Sequence, residues 1–168
     1  MQLHNQLSGW VIQGISRVKM KIGAHPNQDP CRIAVARDAI GDKAELFIDA
    51  NGAYSRKQAL YFAELAHSEH NVTWFEEPVS SDDLASLYLL RSRVPAAMEI
   101  AAGEYGWSPM YLRRMIGAQA VDVIQAGAHP IRLFAHCGPN IHTPLACAAR
   151  PLCHVEYRVA KTKYLSLS

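Results

Sequence analysis

The feature that most constrains this chain is a regular alternation of strand-like and helix-like segments, with a charged residue at the end of each strand. Residues 17–22 place Val18, Met20 and Ile22 on one face and Lys19 and Lys21 on the other, the period-two pattern of a strand. Asp29 is then a plausible N-cap and Pro30 a first-turn proline for a helix that stops at Gly41. Residues 46–49 form a short apolar strand ending on a carboxylate. Ser55 and Gln58 have the spacing of a capping box for a helix reaching about residue 68. Residues 72–75 predict a strand running into Glu76, Glu77 and Pro78, and Ser81 is expected to cap the helix after it. Residues 97–102 predict a strand ending at Gly103 and Glu104. Ser108 and Pro109 open a helix that stops near Gly117, and residues 120–125 give a fifth strand.

Repeated strand–helix units predict a parallel sheet, because a parallel crossover needs a dozen or more residues and usually a helix. With 168 residues the chain is short of the roughly 250 that a complete (β/α)8 barrel takes. The alternation fails after Gln125. The next strand-like run is 131–135, and the intervening 126–130 cannot hold a helix. No linker or change of composition marks a second domain. The expected organisation is one α/β domain over residues 1–160, with a mostly parallel sheet, and a tail of 161–168.

Composition narrows the function. Seventeen basic against fifteen acidic residues give a formal charge of +2, too mild for a polyanion binder, so no nucleic-acid partner is expected. The 49% hydrophobic content excludes disorder, and no run approaches the roughly 18 apolar residues of a membrane span. Residues 1–10 lack a basic stretch followed by an apolar one, so a cytoplasmic location is expected. Cys31, Cys137, Cys147 and Cys153 form no CxxC pair, which fits reduced thiols. A zinc or redox centre drawn from His136, Cys137, His142, Cys147, Cys153 and His154 lacks the paired spacing of structural zinc sites.

The strand ends carry the chemistry. Lys21, Asp49, Glu76 and Glu104 follow one another at intervals of 28, 27 and 28 residues, about one strand, one helix and two loops. They therefore fall at the C-terminal edge of successive parallel strands, where α/β active sites lie. Any one such carboxylate is ordinarily a cap or a solvated loop charge; four charged strand ends at near-equal spacing are much less readily accidental. Three converging carboxylates repel one another in a water-poor site, and Mg²⁺, a hard oxygen-seeking cation, removes the repulsion. A lysine beside such a cation has its pKa depressed, which suits a proton-abstracting base.

These residues resemble a known family. Val18-Lys19-Met20-Lys21-Ile22-Gly23, Asp49-Ala50-Asn51-Gly52, Trp74-Phe75-Glu76-Glu77-Pro78 and Gly103-Glu104 are similar, in type, order and spacing, to the C-terminal barrel domain of the enolase superfamily. Within it, the nearest branch is that of mandelate racemase and muconate lactonizing enzyme. The resemblance implies a TIM-type (β/α)8 barrel, here lacking the first strand, the sixth helix and the N-terminal capping domain. It implies Asp49, Glu76 and Glu104 as Mg²⁺ ligands, Lys21 as catalytic base and Lys19 as its electrostatic helper, with Asn51 and Glu77 in support. It further implies a small-molecule carboxylate substrate, a sugar acid, whose alpha proton is abstracted to give an enediolate. His136, following the strand-like run, resembles the histidine that acts on the opposite substrate face. A lysine and a histidine on opposite faces permit racemisation and dehydration alike.

The pattern also breaks. The family places an Asp after the sixth strand to hold that histidine, and Gly127 stands there. About twenty residues, the length of a helix and its loops, are missing between Gln125 and Ile131. An incomplete barrel exposes strand edges, which favours homo-oligomers. Two readings stay open: a Mg²⁺-dependent lyase or isomerase, and a catalytically impaired relative that at most binds Mg²⁺.

Overall fold

A computed structural model describes residues 2–106, 108–125, 154–155 and 162–165. The chain runs α1 (Gln2–Ile12), β1 (Arg17–Lys21), α2 (Asp29–Ile40), β2 (Glu45–Asp49), α3 (Arg56–His70), β3 (Val72–Glu76), α4 (Leu84–Arg93), β4 (Glu99–Ala102), α5 (Pro109–Gly117), β5 (Val123–Ile124), β6 (His154–Val155) and β7 (Thr162–Leu165). The strands form one sheet in the order β6-β5-β4-β3-β2-β1-β7, and every neighbouring pair is parallel. Six of these strands, β1 to β6, follow one another in chain order, and the first five are joined by the helices that strand–helix repeats require, so the sheet is a partial barrel. The expected α/β class is present, and a helix, α1, precedes the lysine strand. Residues 161–168, read as a tail, contain β7, which pairs with β1 along the edge opposite β2. Among the described residues no helix is long and apolar enough to cross a membrane.

The two faces of the sheet are buried differently. Val18, Met20, Leu46, Ile48, Phe75 and Ile100 point toward the helices and join Ile33, Phe62, Leu87, Leu90 and Leu112 in the main core. The alternate positions Phe47, Trp74, Ala101 and Val123 form a separate buried cluster on the inner face. The charged strand ends belong to that inner face, one layer above the apolar cluster.

Local signals explain most of the boundaries. Ser55 and Gln58 form the expected reciprocal cap of α3, and Asn71 ends that helix in the left-handed region at φ 47°. Ser108 caps α5 with Pro109 in its first turn. Two expected caps are displaced. Gln28, not Asp29, is the N-cap of α2, because the Asp29 carboxylate is wholly buried and engaged elsewhere. It accepts from the amide of Gly23 at 2.8 Å, the hydroxyl of Tyr54 at 2.7 Å and Arg32 Nη1 at 3.0 Å. Asp83, not Ser81, caps α4 by accepting from the Ser86 amide.

Candidate metal centre

The register of the sheet brings the strand ends together. Lys21 pairs with Asp49 and Asp49 with Glu76 in adjacent strands. The second alignment depends on an irregularity: Leu46 faces Val72 but Phe47 faces Trp74, so β3 carries one extra residue there. That shift lengthens the offset between the two strands from 26 to 27 residues and so sets Asp49 opposite Glu76. Glu104 arrives differently. The register partner of Glu76 in β4 is Ala101, and β4 ends at Ala102, so Glu104 lies in the following turn rather than on the strand. Gly103 makes that turn at φ 129°, against the backbone of Gln125, where a Cβ would stand 2.8 Å from the carbonyl oxygen.

One oxygen from each of Asp49, Glu76 and Glu104 lies within 4.8 Å of the others. Asp49 and Glu76 are buried, while the Glu104 side chain is 37% exposed. Two lysines engage the group. Lys19 Nζ is 2.8 Å from Asp49 Oδ2 and 2.5 Å from Glu76 Oε2. Lys21 Nζ donates to Asp49 Oδ2 at 2.6 Å and stands 3.9 Å from Glu104 Oε1. The Lys19 side chain is 6% exposed and that of Lys21 30%, so Lys19 is the inner partner and Lys21 the rim partner. Asn51 supports both ends of the cluster. Its amide N–H donates to Asp49 Oδ1 at 3.1 Å and its Nδ2 to Glu104 Oε1 at 2.7 Å.

The electrostatics follow from burial and proximity. Burial raises the Glu76 pKa, and the neighbouring Asp49 charge raises it further, against the pull of Lys19. Burial also opposes ionisation of Asp49, but the charge of Lys19 and the hydrogen bonds from both lysines hold it below the usual carboxylate range. Lys19 loses stability as a cation by burial, yet Glu76 and Asp49 more than compensate, so its pKa is raised. Glu77, the next residue along, is buried at φ 42°. Neither of its carboxylate oxygens has a hydrogen-bond partner among the described residues. Burial, followed by the charges of Glu104, Asp49 and Glu76, pushes its pKa up to about 7. Beside Glu77 and Asn51 lies an open cavity of about 630 Å³, with Ser80, Ser81, Tyr105, Tyr111 and Arg114 on its walls.

The donor set fits a hard divalent cation. It offers three carboxylates, and Glu76 Oε1 is buried without a hydrogen-bond partner among the described residues. The seven residues Lys19, Lys21, Asp49, Asn51, Glu76, Glu77 and Glu104 are thus brought to one region. His136, Gly127, Cys137, His142, Cys147 and Cys153 lie outside the described residues, and His154 falls in β6. Asp122 is bound away from the centre, accepting from Arg91 Nε at 2.7 Å and the Ile100 amide at 3.0 Å. Sequence reasoning missed Trp74, whose indole N–H reaches Glu76 Oε2 at 3.4 Å. The available signal was its position two residues before Glu76, which puts both on one face of a strand.

Comparison with known proteins agrees with this geometry. Residues 2–162 match the family described as Enolase C-terminal domain-like. The chain is 34% identical over 114 residues to a D-galactarolactone cycloisomerase of Agrobacterium fabrum, covering 67% of this chain and 29% of that protein. It is 31% identical over 161 residues to an L-talarate/galactarate dehydratase of Salmonella typhimurium, covering 83% of this chain and 39% of that protein. Among solved structures, a mandelate racemase/muconate lactonizing enzyme-like protein from Rubrobacter xylanophilus superposes with a TM-score of 0.73 at 42% identity, over 93% of this chain and 48% of that one. The chain spans less than half the length of each of these three proteins.

Proposed function

We propose, from the premise that this chain belongs to the enolase C-terminal domain-like family, that it serves Mg²⁺-dependent abstraction of the alpha proton of a hydroxy-carboxylate, a sugar acid. Asp49, Glu76 and Glu104 would hold the cation. The observation that carries this reading is the approach of their three carboxylate oxygens to within 4.8 Å. When bound, the cation supplies positive charge that stabilises the negative charge developing on the substrate carboxylate.

The residues of the chain divide the remaining work. Lys19 is buried, ion-paired and held charged, so it acts as a fixed cation and not as a base. Lys21 is the base. It sits at the open rim, and a cation on Asp49 competes for the oxygen to which Lys21 now donates. Asn51 fixes Asp49 and Glu104 relative to each other. His136 is proposed for the opposite substrate face, where it would return a proton in racemisation or assist departure of a hydroxide in dehydration. The similarity to a cycloisomerase and a sugar-acid dehydratase supports a polyhydroxylated acid as substrate.

A second reading is favoured by one observation. Lys19 and Lys21 already ion-pair with Asp49, Glu76 and Glu104, so a cation held there would have to compete with both ammonium groups. On that reading the chain is a catalytically impaired relative that at most binds Mg²⁺. Exchange of the alpha proton of sugar acids with solvent deuterium separates the two. The first reading expects Mg²⁺-dependent exchange that disappears in Lys21→Ala; absence of exchange across a panel of sugar acids, with the fold intact, supports the second.

A further inference from the structure

We infer that Trp74 is a positioning residue for Glu76, holding one carboxylate oxygen so that the other faces the cation; this rests on the metal reading proposed above. Trp74 Nε1 donates to Glu76 Oε2 at 3.4 Å in buried surroundings. Lys19 Nζ meets the same oxygen at 2.5 Å. Glu76 Oε1, also buried, has no hydrogen-bond partner among the described residues. Two donors therefore grip one oxygen and leave its twin for a ligand. Rotation of the carboxylate would break both contacts.

The indole is itself fixed. Its ring stacks on Phe47 with centroids 5.3 Å apart and planes inclined by 24°. Phe47 lies two residues before Asp49 just as Trp74 lies two before Glu76, so each apolar ring stands one layer below a carboxylate. Ala101 and Val123 complete the buried cluster around them. The two donors on Oε2 respond differently to a metal. A cation repels the ammonium of Lys19, whereas the neutral indole N–H stays in place and keeps the carboxylate aimed. Partners of this kind behind a metal ligand commonly change affinity by about 10- to 100-fold.

The test is a Mg²⁺ titration by calorimetry of the full chain and of Trp74→Phe, which keeps the ring and removes the N–H. Alongside it, the indole ¹⁵N–H resonances of the parent chain are followed through the same titration. We expect the variant to bind Mg²⁺ about tenfold more weakly while its urea midpoint without Mg²⁺ stays close to that of the parent. The Trp74 indole resonance should move along the parent's binding curve, with that of Trp10, in α1, stationary. If the parent binds Mg²⁺ and the variant binds equally well, or if the Trp74 resonance does not move, the positioning role is wrong and the metal reading stands. If the parent does not bind Mg²⁺, both fall together. Should Trp74→Phe fail to fold, the resonance in the parent decides.

Discussion

Lys21 and Asp49 are register partners at the ends of adjacent parallel strands, and the Lys21 ammonium donates to Asp49 Oδ2 at 2.6 Å. Lys19, one turn of the strand pleat below, reaches that same oxygen at 2.8 Å. One carboxylate oxygen thus serves two ammonium groups, and a divalent cation held by Asp49 would compete with both.

Lys19 is the keystone of that cluster. Its removal leaves Asp49 and Glu76 buried side by side without their inner counter-charge. Lys19→Met is expected to cost about 3–5 kcal/mol in urea unfolding at pH 7 without metal. Millimolar Mg²⁺ should recover part of that loss, because the cation replaces the missing charge.

Gly103 directs Glu104 back over the centre. In Gly103→Ala the new Cβ would lie 2.8 Å from the Gln125 carbonyl oxygen at a φ of 129°. The substitution should lower stability by about 1–3 kcal/mol through backbone strain. It should also weaken Mg²⁺ binding, since the turn that places Glu104 has to shift. Unfolding and calorimetry on one sample check the two effects separately.

Tyr54 and Asp29 lock the loops after β1 and β2. Burial first, and then the hydrogen bond to Asp29, raise the Tyr54 phenol above its ordinary pKa. The folded state therefore holds this proton more tightly than the unfolded chain does. Its stability contribution is complete below the unfolded value of about 10 and is lost as pH rises beyond it. Tyr54→Phe should cost about 1–3 kcal/mol at neutral pH by leaving Asp29 short of a donor. It should also flatten the alkaline decline in stability, as measured by urea midpoints from pH 9 to 11.

Much of the fold was legible because its signals are local. The strand–helix alternation, the Ser55–Gln58 box and the Ser108-Pro109 start depend on residues a few positions apart. The errors arise where tertiary partners override that local chemistry. Asp29 has the composition of a cap, but Gly23 and Tyr54 take its carboxylate. The interval arithmetic found Asp49 and Glu76 at strand ends, yet Glu104 matched it while lying in a turn two residues past β4. The extra residue in β3 and the indole behind Glu76 depend on inter-strand register, which no single segment encodes.

The most direct test of the account is thermal unfolding of the purified chain with and without millimolar Mg²⁺, beside an Asp49→Asn/Glu76→Gln double variant. A ligand at about 100 times its dissociation constant adds roughly 2.7 kcal/mol to the folded state. The account predicts a higher midpoint with Mg²⁺ for the parent and no change for the double variant. A cooperative transition of the parent that is indifferent to Mg²⁺ would contradict it.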